Sequence, residues 1–203
     1  MRRFSTRTLL AAASAALSAV LLIAGGLVLW GSTYVHNTVQ SQLASQQIYF
    51  PPASAFAHAK AGTEITPSMI PSVSQYAGQQ LLTGQQAEAY ADHFIAVHIN
   101  EMGAGKTYSQ LSTESIANPT NTALATTVNT VFKGETLRSM LLNAYGWWKV
   151  SQITYIVSLV LFGLGGLSAI GSAFLLAFGR RPKGAGQVAQ PAGHETITPA
   201  TTA

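Results

Sequence analysis

His98 and Glu101 are the residues of this 203-residue chain whose types and spacing could do chemistry. They stand three positions apart, so a helix would place both side chains on one face, which is otherwise apolar. A polar group that is buried there without a partner costs roughly 1–3 kcal/mol. Three roles are therefore open for the pair: a structural hydrogen-bonded pair, a contact to a ligand or partner, and part of a metal site.

A metal site would need more than this pair supplies. The known di-metal signature of helices is Glu-x-x-His rather than His-x-x-Glu, and a closed transition-metal site takes further ligands. The other candidates, His36, His58 and His93, stand on other segments or on the polar face of the helix. No motif places a serine beside a histidine. We therefore expect no catalytic activity and no cofactor, with a metalloenzyme as the less favoured alternative.

The segment 103–107 contains a Gly-Lys-Thr triplet, which phosphate-binding loops also use. The residue five positions before Gly105 is Asn100 rather than glycine, and no predicted strand precedes the segment. We interpret 103–107 as the C-cap and turn of the preceding helix.

That helix is predicted over 85–102, after Thr83 and Gly84, and it positions His98 and Glu101. If each residue advances 100° around this helix, Met102 falls on the apolar arc that is expected to pack, and Ala89 falls on the opposite side.

Further helices follow. A short one is expected around 108–117, and Asn118 and Pro119 predict the N-cap and first residue of the next. That helix should be interrupted near Gly134 and then continue toward the C-terminal apolar stretch. No period-two alternation of useful length appears, so we expect little or no sheet.

Two long stretches without a charge decide the fold class. A hydrocarbon core about 30 Å thick needs roughly 20 apolar residues in a helix, and each stretch supplies that length. We predict an all-α protein with transmembrane helices over 9–31 and 150–179. A helical extracytoplasmic domain over 32–149 is inserted between them, and the first helix should project beyond the membrane until Pro51 and Pro52 stop it.

The charge distribution predicts the topology. Residues 1–8 and 180–203 hold nearly all the excess positive charge, whereas 32–149 hold five basic and six acidic residues. Positive flanks tend to stay in the cytoplasm, so both termini are expected on the cytoplasmic side of the membrane, with a disordered tail over 180–203. The net charge of +4 describes this topology, and no basic stripe indicates nucleic-acid binding.

A cleaved signal peptide is the alternative for the first span, because arginines before an Ala-rich run also mark export signals. The apolar run is longer than the usual core of about 7–15 residues, and no clear cleavage site follows it. We expect an uncleaved anchor.

Aromatic residues predict where the spans leave the lipid. Trp30 and Tyr34 close the first span, and Trp147 and Trp148 open the second, so we expect all four to be anchors at the outer interface. Ordinary core packing is the alternative for the paired tryptophans.

Small residues recur at every fourth position on both spans, which favours close approach of helix backbones in lipid. They would hold the spans to each other or to a neighbouring subunit; the alternative is that Ala and Gly are simply abundant. The stripes are Ala11, Ala15 and Ala19 on the first span and Gly165, Ala169, Ala173 and Ala177 on the second.

Several segments resemble an uncharacterised family of actinobacterial membrane proteins with two spans and a helical outer loop. The resemblance covers about residues 15 to 180 and implies topology and bacterial lineage, but it carries no catalytic residue. The segments are Tyr49–Pro52, Tyr76–Gln80, Tyr90–His93, Phe132–Arg138 and Leu142–Trp148.

The chain has no cysteine, so its outer domain lacks disulfides and must be stabilised by packing on the spans or on other subunits. We expect a non-catalytic membrane subunit or scaffold of a homo-oligomer or larger complex, whose partners are the lipid bilayer and other subunits. The preferred contact residues are Glu135, Arg138 and the paired tryptophans Trp147 and Trp148; the alternative for Glu135 and Arg138 is a solvated i,i+3 pair. The alternative is an extracytoplasmic sensor in which residues 51–71 form a lid over a small-ligand pocket near His98 and Glu101.

Overall fold

The computed structural model describes residues 5–178, and the chain there is all-helical, as the sequence predicts, with a single isolated β-bridge. The predicted tail over 180–203 lies outside the described residues, as do residues 1–4. The α-helices are α1 (Thr6–Ser45), α2 (Ala53–Ala57), α3 (Ile70–Val73), α4 (Gly84–Tyr90), α5 (Ala96–Met102), α6 (Tyr108–Ala117) and α7 (Thr122–Ala177); 3₁₀ turns over Pro67–Met69 and Ser74–Tyr76 flank α3, and a π-helical segment over Ala91–Ile95 joins α4 to α5.

Helices α1 and α7 form a long antiparallel hairpin. Their 40 and 56 residues correspond to lengths of roughly 60 and 84 Å at 1.5 Å per residue. Each contains a stretch that is long and apolar enough to cross a membrane, and only 11% of that stretch is buried. The predicted break near Gly134 is wrong, because α7 runs through this glycine without interruption.

The line of contact between α1 and α7, called the small-residue seam below, has a seven-residue repeat. A repeat of seven keeps one line of residues facing the partner helix when two helices supercoil left-handedly. The buried positions are Ala11, Ser18, Gly25 and Ser32 on α1 and Ser151, Ser158, Gly165 and Ser172 on α7.

Serine hydroxyls cross the small-residue seam to backbone carbonyls of the other helix. Ser18 donates to Gly165 at 2.7 Å, and Ser172 donates to Ala11 at 2.8 Å. Only small side chains permit this approach of two backbones. The seam therefore joins the hairpin by both dispersion contact and hydrogen bonds.

The two predicted small-residue stripes contribute one residue each to this seam. Ala11 and Gly165 are buried in it, whereas the other five stripe residues are exposed and do not join α1 to α7. A stripe with a spacing of four rotates away from a partner that is contacted every seven residues. Contact with a neighbouring subunit stays a prediction for the exposed members, Ala15, Ala19, Ala169, Ala173 and Ala177.

The helix predicted over 85–102 is present but contains a π-helical turn. Thr83 and Gln86 form a capping box at the start of α4, as the Thr83-Gly84 signal indicates. At Ala91–Ile95 the amide of Ala96 donates to the carbonyl of Ala91, five residues back, so one extra residue is accommodated.

That extra residue rotates the following residues by about 100° around the helix axis relative to a regular helix. The arc predicted from regular spacing is therefore wrong beyond the turn: Met102, which was expected to be packed, is 47% exposed. The prediction is also wrong for Ala89, which was expected to face solvent and is 5% exposed, but Ala89 precedes the π-helical turn, so the turn does not account for its burial.

The end of α6 also differs from the prediction. α6 itself occupies Tyr108–Ala117 as expected, but Asn118 is its C-cap rather than the N-cap of the next helix. Asn121 is the N-cap of α7, and its side chain accepts from the amide of Leu124. Pro119 therefore lies in the connection and not at the first helical position.

The core of the helical domain lies where residues 51–73, which connect α1 to α4, pack on α1, α4 and α7. Met69, Val73 and Leu81 are fully buried, and Phe56 and Ile65 are nearly so. Apolar side chains from residues 51–73 thus fill the domain interior.

Candidate functional site

His98 and Glu101 do not meet in the structure. The Nδ1 atom of His98 lies 2.9 Å from the carbonyl oxygen of Phe94, to which it donates, and the two rings meet edge to face at 4.6 Å. Glu101 is exposed, because it follows the π-helical turn that rotates it away from the core. His98 is therefore satisfied within its own helix. Within residues 5–178, no group of three His, Asp or Glu residues could hold a metal ion.

The Gly-Lys-Thr segment is a helix end, as the sequence analysis predicts. Gly103 is the C-cap of α5, and its amide donates to Ile99. Ala104 and Gly105 adopt positive φ angles of 50° and 78°, which reverse the chain into α6. Lys106 pairs with Glu114 at 2.7 Å, so its charge is matched within the turn and the next helix.

The four aromatic residues expected at the outer interface divide into two groups. Trp30 and Tyr34 are exposed and stack on each other at 5.9 Å, and Trp147 is also exposed; their role as anchors stays a prediction. Trp148 is only 5% exposed, so the prediction is wrong for this residue. The core-packing alternative holds because α7 turns Trp148 inward, against α1 and the start of α4.

Trp148 lies in a close contact between three helices. Its ring lies 4.0 Å from that of His36 on α1, and a side chain at Gly84 would collide with its Cβ and Cγ. Within residues 5–178, the buried indole Nε1 of Trp148 has no acceptor. The glycine at the start of α4 is therefore a steric requirement of this packing.

Arg138 joins α7 to the π-helical segment. Its Nε and Nη2 atoms donate to Oδ1 of Asp92 at 3.2 and 2.7 Å, and its Nη1 lies 3.5 Å from Glu135. The hydrogen bond to Asp92 is the main reason that the pKa of Arg138 is raised above its ordinary value. Glu135 and Arg138 thus form the i,i+3 pair that their spacing allows, and Asp92 is the partner that the sequence did not predict.

A cavity of about 490 Å³ lies between α1 and α7 where their most apolar stretches end, on the side nearer the helical domain. We call it the His36 cavity. Ligand sites in proteins have volumes of about 300–1,000 Å³. Its lining residues are Ser32, Thr33, His36, Ser151, Gln152, Tyr155 and Ile156.

The His36 cavity was not predicted from the sequence, although the spacing of its polar residues is visible there. Ser32, Thr33 and His36 share the i, i+1, i+4 spacing of one helix face, and Ser151, Gln152 and Tyr155 repeat it. The first group stands at the end of the first apolar stretch, and the second group stands at the start of the second stretch. Only the antiparallel pairing of the two helices, which the sequence does not specify, brings the groups together.

Large apolar side chains are exposed on the far part of the helical domain. Tyr108 on α6 and Phe132 on α7 are in ring contact at 5.4 Å, and both are exposed. Ile116, eight residues after Tyr108 and about 80° around α6, is 79% exposed. We call Tyr108, Ile116 and Phe132 the Phe132 patch.

Comparisons of the chain with protein-family models, with curated proteins and with solved structures found no match. The resemblance to actinobacterial two-span membrane proteins therefore stays a prediction. Function has to be argued from the hairpin, the His36 cavity and the Phe132 patch.

Proposed function

We propose that this chain is a non-catalytic integral membrane subunit, either of a homo-oligomer or of a larger membrane complex, that docks through the Phe132 patch. Its hairpin would span a bacterial cytoplasmic membrane with both termini inside and the helical domain outside. The observation that carries the proposal is the exposure of Phe132 and Ile116 far from the apolar stretches.

The position of the patch argues for a protein partner rather than lipid. Phe132 precedes Val150, the start of the apolar stretch, by eighteen residues of continuous helix. That separation corresponds to roughly 27 Å along the axis, so in the proposed topology the patch would lie well beyond the hydrocarbon core. Exposed aromatic and aliphatic residues on a polar domain mark interaction sites.

Membrane insertion is supported by the exposure of the hairpin. The most apolar stretches of α1 and α7 contact mainly each other, and nearly nine-tenths of each stretch is open. In water such a surface would drive aggregation, whereas lipid solvates it. The hydroxyl-to-carbonyl bonds of the small-residue seam suit a helix pair in lipid.

The sensor alternative is less well supported in the form that the sequence suggested. A lid would leave a space beneath residues 51–71, but Met69 within this segment and Val73 just after it are fully buried in the core. His98 bonds to its own helix and Glu101 faces outward. Neither residue lines the His36 cavity.

A photo-crosslinking experiment in intact membranes tests the proposal. A photoreactive phenylalanine analogue replaces Ile116 or Phe132, and the control replaces Thr130, which is exposed on α7 about 200° away from Phe132. We expect discrete adducts of one defined mass from the patch positions and none from Thr130. An adduct of twice the chain mass indicates a homo-oligomer, and another defined mass indicates a hetero-complex.

Two results would remove the proposal. One is a monomer without adducts, both in the membrane and by native mass spectrometry in mild detergent. The other is an adduct from the probe at Ile116 that stays unchanged when Phe132→Ser and Tyr108→Ser are introduced together. Protease added to spheroplasts should cleave within 32–149 and spare a reporter after Ala203; the opposite pattern would contradict the proposed orientation.

A further inference from the structure

We propose that the His36 cavity binds one phospholipid of the outer leaflet, with its phosphate held by His36, Gln152 and Tyr155. This inference rests on the membrane insertion proposed above, and it assigns a ligand to a site distinct from the Phe132 patch. Three features of the cavity support a phospholipid: polar side chains that have no hydrogen-bond partner, the order of the lining residues along the hairpin, and the lack of acidic residues in the described lining.

The hydroxyl groups of the cavity are already used within the fold. Ser32 donates to the carbonyl of Ser151 at 2.7 Å, Ser151 donates to Trp148 at 2.7 Å, and Thr33 donates to Leu29 at 3.0 Å. These bonds fix the two helix walls and leave little capacity for a ligand.

Three other polar side chains remain for a ligand. Within the part of the chain that the structure describes, the imidazole of His36, the amide of Gln152 and the hydroxyl of Tyr155 have no hydrogen-bond partner. Each can donate a hydrogen bond to a phosphate oxygen. They converge on one cavity from two helices, and polar groups that converge in an otherwise apolar cavity are typical of ligand sites.

The order of the lining residues fits an amphiphile. Because Ser32 pairs with Ser151 in an antiparallel hairpin, His36 lies at the end of the cavity nearer the helical domain, and Ile156 lies at the opposite end. The levels of His36 and Ile156 differ by about 13 Å along the axis. Tyr155 lies beside Ile156 on α7, but helical side chains lean toward the N-terminus of their own helix, so in an antiparallel pair the side chains of His36 and Tyr155 lean toward each other. A headgroup between them would leave its acyl chain toward Ile156.

The charge of the site is compatible with a phosphodiester. No Asp or Glu belongs to the described lining of the cavity, so no carboxylate repels an anion. The stacked rings of Trp30 and Tyr34 lie near the same level on α1, and such rings favour the headgroup region of a bilayer. A free soluble anion would not need the apolar end.

The test uses the full-length chain in nanodiscs of phosphatidylethanolamine and phosphatidylglycerol. A small fraction of the phosphatidylglycerol carries a diazirine close to the glycerol, and peptide mass spectrometry locates the adducts after irradiation. We expect adducts concentrated in 32–36 and 151–156. The double variant Gln152→Leu with Tyr155→Phe should lower their yield about five-fold, since each lost hydrogen bond weakens binding.

Matched controls separate the site from general lipid contact. Gln40→Leu and Tyr34→Phe change the same residue types outside the cavity and should leave the yield unchanged. Thr33→Trp fills the cavity without removing a phosphate donor and should also lower the yield. Circular dichroism and nanodisc incorporation of each variant show whether the hairpin is intact.

The results distinguish the two proposals. Even labelling along the exposed faces of both helices, with no effect of the cavity variants, would overturn the lipid site while leaving membrane insertion intact. A chain that fails to enter nanodiscs and is extracted from cell membranes by alkaline carbonate would overturn both.

Discussion

Ser14 on α1 and Ser168 on α7 donate hydrogen bonds to each other's backbone carbonyl oxygens, both at 2.9 Å. Their hydroxyl oxygens are 3.1 Å apart. A reciprocal bond of this kind requires the two helix backbones to approach closely, which the neighbouring small-residue seam permits. The pair lies within the apolar stretches of both helices, and in the proposed membrane insertion an unpaired hydroxyl there would have no water to bond.

Replacing either serine of this pair by alanine should destabilise the hairpin. Interhelical hydrogen bonds in membrane proteins contribute about 0.6 kcal/mol on average and up to about 1.7 kcal/mol. We expect each single variant to have a cost in this range and the double variant to cost nearly the sum, because each hydroxyl donates to a backbone carbonyl that remains when the other serine is replaced. Unfolding in detergent micelles measures the coupling; the control is Ser41→Ala, whose hydroxyl bonds only to Thr38 of its own helix. A double variant that costs no more than either single variant would contradict two separate bonds.

Gly165 should not tolerate a large side chain, whereas Gly163 should. A Cβ at Gly165 would lie 3.0 Å from Leu22 on the facing helix, and one at Gly163 would meet nothing within 4 Å. Overpacking of a tight contact costs about 1–3 kcal/mol. Gly165→Leu should therefore lower the unfolding temperature in detergent by several degrees relative to Gly163→Leu. Equal unfolding temperatures for the two variants would show that the seam is not closely packed.

Gly84→Ala should destabilise the helical domain because the added methyl group collides with Trp148. The control is Gly146→Ala on α7, where a Cβ meets nothing within 4 Å and alanine favours the helix by about 1 kcal/mol. The midpoint of thermal unfolding, followed by tryptophan fluorescence, should fall for Gly84→Ala and rise for Gly146→Ala. Equal unfolding midpoints for the two variants would show that Gly84 is not closely packed against Trp148.

The two apolar helices and the lack of strands within residues 5–178 could be predicted because they follow from composition and periodicity over many residues. The helix over 85–102 and the short helix over 108–117 could be located because Thr83, Thr107 and Gly103 provide local capping signals. Such signals act through neighbouring residues and need no tertiary context.

The errors arise where tertiary contact decides the outcome. The π-helical turn that carries Asp92 has no signature in the spacing, yet it rotates Glu101 out of the predicted packing face. The burial of Trp148 depends on Gly84, sixty-four residues earlier in the chain. The exposed position of Ala169 shows that small residues alone do not specify which repeat faces the partner helix.

Tyr90 should ionise only at a pH above its ordinary pKa of 10.0. Burial is the main cause of its raised pKa, and the negative charge of Glu64 adds to it. The folded state therefore holds the phenolic proton more tightly than the unfolded state. This contribution to stability is complete below pH 10 and is lost as the pH rises through the raised value. Tyr90→Phe should lessen the loss of stability above pH 10, whereas Tyr49→Phe, at an exposed site, should not; identical profiles would contradict the assignment.

The ion pair between Asp92 and Arg138 should couple the π-helical segment to α7. Both side chains are about one-third exposed, so we expect a coupling of about 0.2–1 kcal/mol from the cycle of Asp92→Asn, Arg138→Gln and the double variant. Arg138→Gln alone should cost more than Lys106→Gln, because it leaves both Asp92 and Glu135 without their cation, whereas Lys106 faces Glu114 alone. The coupling should weaken in 1 M salt, where the screening length falls to about 3 Å.

Hydrogen exchange of the amides in 91–96 gives a local readout: Arg138→Gln should speed their exchange and Lys106→Gln should not, since only Arg138 holds the π-helical turn against α7. Unchanged exchange in both variants would mean that packing alone maintains the turn.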